Sequence, residues 1–138
     1  MRYWLTTHYR HQSPSHPYSI YLKNGYRQRS KRIDVGDGVA FSELKGKTRG
    51  RQTIVAMAEV SGEIRKNVHR DGGPDIGEQI WEWEIPCTVA DEKGTLSKDR
   101  LSGIMEWDPD WSLRVRGGVV ELEPAQFKRI SEGFKKGA

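Results

Sequence analysis

Sulfur chemistry is nearly missing from this sequence. One cysteine, Cys87, stands among 138 residues, which rules out an internal disulfide. It follows Pro86 in an apolar stretch, with no CxxC spacing and no basic partner nearby, so a buried structural thiol is expected. Histidine is scarce too: His8, His11, His16 and His69 all sit in polar stretches. His8-x-x-His11 has a spacing a metal can use, but further ligands are lacking and no metal is expected. No apolar run approaches the roughly 20 residues of a membrane helix. Met1-Arg2-Tyr3-Trp4-Leu5 passes at once into polar residues, leaving no secretory core. The expectation is a cytoplasmic globular protein with no membrane partner. Nor is there a phosphate-cradling glycine loop or a histidine set against a carboxylate. Asp108 and Asp110 read as turn residues, Glu82 and Glu84 as strand-surface residues, and Asp71-Gly72-Gly73 as a flexible turn. No enzyme, and no cofactor, is expected.

What the sequence does have is lopsided charge. Its net charge is +4, but residues 1–70 hold 14 Lys/Arg against 5 Asp/Glu, while residues 71–138 hold 9 against 14. The stretch from Lys23 to Arg51 carries nine basic residues. Such an uneven field attracts polyanions, of which nucleic acid is the commonest, although a merely solvated face has the same composition. Arg27, Lys31, Arg32, Lys47, Arg49 and Arg51 are the candidates for phosphate contacts, which position a nucleic acid without reading its sequence. Arg114 and Arg116 alternate with Leu113 and Val115, so they share one exposed strand face and join that set.

The length suits one domain spanning residues 1–138. Tyr3–Thr7 reads as an opening strand, and His8–Pro17 as a loop. Tyr18–Arg32 is ambiguous and allows a short helix interrupted at Asn24-Gly25. Val35-Gly36-Asp37-Gly38 is a tight turn, followed by a strand over Val39–Ser42. Lys45–Gln52 has the composition of a hairpin loop, and Thr53–Val60 is the clearest strand. Gly62–Gly77 reads as a long mobile loop. Ile80–Val89 alternates Trp81, Trp83 and Ile85 against Glu82, Glu84 and Pro86, which predicts one buried and one exposed face. Ser97 caps a short helix to Met105, with Leu101, Ile104 and Met105 on one face. Trp107 and Trp111 flank a turn. Val119–Leu122 forms a strand paired through Gly117-Gly118 with Leu113–Val115. Pro124 opens a last helix striped by Phe127, Ile130 and Phe134. The sum is mixed α/β, mainly β: a small barrel of five or six strands with short peripheral helices.

In order and spacing these motifs resemble the EVE domains of the PUA-like superfamily. Met1-Arg2-Tyr3-Trp4-Leu5 is similar to that family's MxYWL start, and Ile33 to Phe41 to its Gly-Asp turn and strand. Ile54 to Val60 resembles its xIVGIAEV core strand. Ser112 to Leu122 and Pro124 to Ile130 are similar to its closing strand segment and helix. The likeness covers nearly the whole chain. The family's first loop survives only as Pro17-Tyr18-Ser19 in a longer version, and its Gln-Ala-Arg-Asn segment is shortened to Gln28-Arg29-Ser30. The resemblance implies a PUA-like barrel related to YTH domains, which hold N6-methyladenine in an aromatic cage. EVE domains are linked to modified bases in DNA, and no catalytic set attaches to them.

A base pocket needs aromatic faces for stacking, worth about 1–3 kcal/mol per base, and polar groups for the base edge. Reaching a base in a duplex also costs a few kcal/mol of flipping. Trp4, beside the polar Thr6-Thr7, and Tyr26 are the first cage candidates, then Trp81 and Trp83, two apart on one strand face. Packing is the commoner role for tryptophans at strand spacing, so most of the five should be structural. Arg29 and Ser30 are the polar candidates, by their match to the shortened family segment. The expected function is recognition of a methylated or hydroxymethylated base in DNA or RNA. The alternative is an accessory module that reads RNA shape without a base pocket, and the least favoured is a nuclease-like enzyme. Nothing in the sequence marks an interface between copies.

Overall fold

The elements below come from a computed structural model, which describes residues 1–8, 18–22, 32–44, 52–66, 83–91, 94, 96–106, 110–111 and 119–136. Among them the order is β1 (Tyr3–His8), β2 (Ser19–Leu22), β3 (Gly38–Leu44), β4 (Gln52–Val60), β5 (Arg65–Lys66), β6 (Trp83–Asp91), α1 (Lys98–Ile104), β7 (Val119–Leu122) and α2 (Pro124–Lys136). The strands form one sheet in the order β2-β6-β4-β3-β1-β7, with β5 added on β6. Among the described residues only β1 and β3 pair in parallel; Trp4 lies opposite Val39 on one side and Glu121 on the other. The sheet curls until its edge strand β2 comes back within reach of β1 and β7.

Strand alternation sorts the apolar residues onto two faces. Trp4, Ile20, Leu22, Val39, Phe41, Ala56, Val60, Ile85 and Val119 fill the concave side. Leu5, Ala40, Met57, Val120 and Leu122 face outward, where Leu101 and Ile104 of α1, Trp111, and Ile130 and Phe134 of α2 cover them. One bulge makes this sorting possible. The register passes from Phe41 opposite Ala56 to Ser42 opposite Ile54, leaving Val55 extra. The inserted residue reverses the facing of what precedes it, so Ile54 joins the outer core although Ala56 belongs to the inner one.

The helices form where local signals place them. The Ser97 side chain accepts from the Arg100 N–H at 3.3 Å, and the Met105 N–H closes α1 on the Leu101 carbonyl. Pro124 begins α2, where its missing N–H costs nothing. Phe127 stacks on Tyr3 with ring centroids 4.4 Å apart, and fully burying Ile130 and Phe134 contributes about 1.5–3 kcal/mol each.

Three expectations are resolved or corrected by the sheet. Tyr18–Arg32, ambiguous in sequence, begins as a strand, β2, because Ser19–Leu22 find hydrogen-bond partners on β6, from Pro86 to Trp83. Residues 23–31, with the helix allowed around Asn24-Gly25, lie outside the described residues. Gly62–Gly77 is not loop throughout: Arg65 and Lys66 pair with Glu84 and Trp83. Gln52, expected to end the Lys45–Gln52 loop, instead opens β4; the rest of that loop, the hairpin through Gly117-Gly118 and the turn at Trp107 lie outside the described residues.

Candidate functional site

The tight turn between Ile33 and Gly38 is built around one carboxylate. Gly36 takes φ +98°, a left-handed conformation that side chains rarely adopt, and its N–H donates to the Val60 carbonyl at 2.9 Å. That geometry turns Asp37 inward, where it is buried. One oxygen accepts the Arg2 N–H at 3.0 Å; the other accepts the Asp34 N–H at 2.9 Å and the Trp4 indole N–H at 3.0 Å. Burial works against the charge of Asp37. The bonds from Asp34, Trp4 and Arg2, helped by the nearby chain amine, outweigh it and hold the carboxyl below its ordinary pKa.

This network reassigns Trp4. The ring is 4 % exposed within the inner core and its only polar group is committed to Asp37, so it packs the barrel instead of walling a cage. The neighbouring Thr6 suggested a polar exit from the strand, but Thr6 is itself buried, beside Ser42, whose hydroxyl donates to the Thr6 carbonyl at 3.1 Å. Trp111 is likewise buried, in the outer core.

Trp83 is placed differently. It opens β6, packs part of its ring on the inner core and leaves the rest half-exposed, with the Lys66 ammonium 5.6 Å from its centroid. A cation over an indole face is attracted by the ring quadrupole. Tyr18, also half-buried on the inner side, meets Phe41 edge-on at 5.1 Å. Trp81, Tyr26, Arg29 and Ser30 lie outside the described residues.

Beside Trp83, the sequence reading of Glu84 is overturned. Expected on the strand surface, its side chain is fully buried. The alternation of β6 holds, but the second face is covered as well, and Tyr21 and Ser19 of β2 are buried on that flank. Arg65 donates from Nε to Glu84 at 2.9 Å and the Tyr21 hydroxyl donates at 3.4 Å, a row across three strands. Burial, with the Glu84 charge beside it, pushes the Tyr21 phenol far above its ordinary pKa. A buried acid held by an arginine and a phenol reads as a structural ion pair. Cys87 follows three residues on, and burial pushes its thiol up to about 12, which suits a structural role.

The basic candidates divide. Arg32 is exposed but sits 3.0 Å from Glu121, and Arg2 spans Asp34 at 3.8 Å and Glu121 at 3.9 Å. These pairs are solvated and weak, so a phosphate can displace Glu121 from Arg32 at little cost. Arg27, Lys31, Lys47, Arg49, Arg51, Arg114 and Arg116 lie outside the described residues. Among the described residues, no cluster of three or more His, Cys, Asp or Glu could hold a metal. A cleft of about 460 Å³ opens on the outer face, between Tyr3, Met57 and Phe127, with Glu59 and Asp91 at its edge. It lies across the sheet from Trp83.

No family model and no curated protein matches the chain. Solved structures do. A hypothetical protein from Leishmania major superposes with a TM-score of 0.69 at 15% identity, over 99% of this chain and 96% of that one. Human THYN1, described in complex with 5-methylcytosine containing DNA, superposes with a TM-score of 0.69 at 11% identity, over 100% of both chains. The fold is PUA-like. Rpa0253 from Rhodopseudomonas palustris shares the PUA-like arrangement as well, with a TM-score of 0.60 at 13% identity over 98% of this chain and 94% of that one.

Proposed function

We propose that this chain is a non-enzymatic nucleic-acid-binding module that recognises a modified base through an aromatic pocket. The observation that carries the reading is Trp83. Among the described tryptophans it alone is only partly buried, with the Lys66 ammonium over its ring, on the concave side of a PUA-like sheet. The likeness in fold to THYN1, whose structure holds DNA with 5-methylcytosine, supports the same class of ligand. In this reading the base stacks on Trp83, Lys66 and Arg32 meet backbone phosphates, and the basic residues of the first half steer the polymer in.

The test is a binding panel of DNA and RNA oligonucleotides, modified and unmodified, at fixed salt. A reader binds the modified strand more tightly, and Trp83→Ala reduces affinity about tenfold or more while far-UV dichroism stays native. Equal affinity for modified and unmodified strands overturns the pocket. The burial of Trp4 and Trp111 favours a second reading, an RNA module that recognises shape without a cage. Such a module shows steep salt dependence with no modification preference, and Trp83→Ala leaves its affinity nearly unchanged.

A further inference from the structure

We infer that the crevice between α1 and α2 binds a phosphate group, as a second anion site on the opposite side of the sheet from Trp83. The crevice measures about 360 Å³ and is lined by Arg100, Gly103 and Ile104 of α1 and by Arg129, Glu132 and Gly133 of α2.

Packing creates the site. Gly133 is buried within α2, where glycine is disfavoured relative to alanine. The reason is close approach: a Cβ there would come within 2.8 Å of Leu96 and 3.4 Å of the Arg100 guanidinium. The bare backbone lets Arg100 lie across α2. Arg129 stands four residues before Gly133, hence on the same helix face and one turn away. Two guanidinium groups are thus brought to one crevice, although like charges so placed repel. Surface arginines elsewhere in the fold have matched acids: Arg65 has Glu84, and Arg32 has Glu121. Among the described residues, the Arg100 and Arg129 guanidinium groups have no hydrogen-bond or ion-pair partner. Glu132 lines the crevice without bridging to either. Three residues after Arg100 on α1, Gly103 leaves open space, where an added Cβ would meet nothing within 4 Å. Two unpaired guanidinium forks, an open floor and one carboxylate that weakens but does not cancel the field suit a tetrahedral oxyanion.

The phosphate can come from a nucleic-acid backbone, which rests on the function proposed above, or from a free phosphate ligand, which does not. Titrating the isotope-labelled chain with inorganic phosphate, followed by NMR, decides the site itself. The expected result is saturable shifts of the Gly103 and Gly133 amides and of the Arg100 and Arg129 Nε–H signals, absent with chloride and abolished in Arg100→Gln/Arg129→Gln. Glu132→Gln should tighten phosphate several-fold. No saturable shifts, or shifts that survive in the double variant, overturn the inference. An unmodified oligonucleotide then separates the sources. A backbone contact makes the double variant lose affinity and flattens the salt slope by about 1–2 units, with any modification preference intact. Unchanged oligonucleotide binding with lost phosphate shifts assigns the site to a free ligand. If the native chain binds no oligonucleotide at all, the proposed function falls while the phosphate titration still decides the crevice.

Discussion

Asp37 and Glu84 are both buried carboxylates, yet they are held in opposite ways. Asp37 takes one backbone N–H from Asp34 in its own turn, and a second backbone N–H from Arg2 and the indole N–H of Trp4 from the start of β1, which runs beside β3. Glu84 takes a cationic side chain from β5 and a phenol from β2, supplied by strands that are its neighbours only in the folded sheet. The first arrangement is uncharged on the donor side and buried, with Asp37 3% exposed. The second has one member, Arg65, whose side chain is 55% exposed, so solvent can replace part of what it provides. Rigid anchoring belongs to the turn that locks β1 beside β3. Adjustable charge lies on the flank next to Trp83, where the proposed ligand approaches.

Breaking each arrangement in turn should give effects in descending order. Asp37→Asn faces an amide nitrogen against an N–H donor and removes the charge, and should lower stability by about 2–4 kcal/mol in urea titration. The same variant sharpens a pH argument. Because the folded carboxyl of Asp37 sits below its ordinary value of 3.8, its contribution is complete above that pH and is lost as pH falls through the lower folded value. Below pH 3.8 the native chain should lose stability more steeply than Asp37→Asn. Parallel acid limbs would remove Asp37 from the account. Arg65→Gln strips the guanidinium from a buried acid but leaves Tyr21 and entering water, and should cost about 1–3 kcal/mol. A cost equal to that of Asp37→Asn would show that the two acids do not differ as described. Trp4→Phe keeps most of the ring and withdraws one donor from Asp37; its cost should be the smallest, about 1–2 kcal/mol.

Much of the fold could be read along the chain because its signals are local. Tyr3–Thr7, the Gly36-Asp37 turn, Thr53–Val60, the Ser97-capped helix and the Pro124 helix all emerge where composition, capping or periodicity placed them. β2 and β5 were not legible for the same reason. Four residues at Ser19–Leu22 and two at Arg65–Lys66 become strands because β6 supplies the partners, and no local pattern marks them. Of the candidate site, Trp83 is partly buried and Arg32 exposed, whereas Trp4 is spent on the core. Asp37 had a trace in the sequence, an acid between two glycines. Arg100 and Arg129 had none, standing 29 positions apart in the acidic half.

From the residues alone follow the strand and helix periodicity, the turn that demands a left-handed glycine, and the basic bias of the first half. These depend on neighbours within a few positions or on simple counting. Which face of a strand is covered, which tryptophan stays only partly buried and which charges meet their opposites depended on the curl of the sheet and the layer of helices upon it. Burial is a property of what arrives from elsewhere in the chain: a period of two divides a strand into two faces, and only the packing of β2, β5, α1 and α2 determines whether either face sees water.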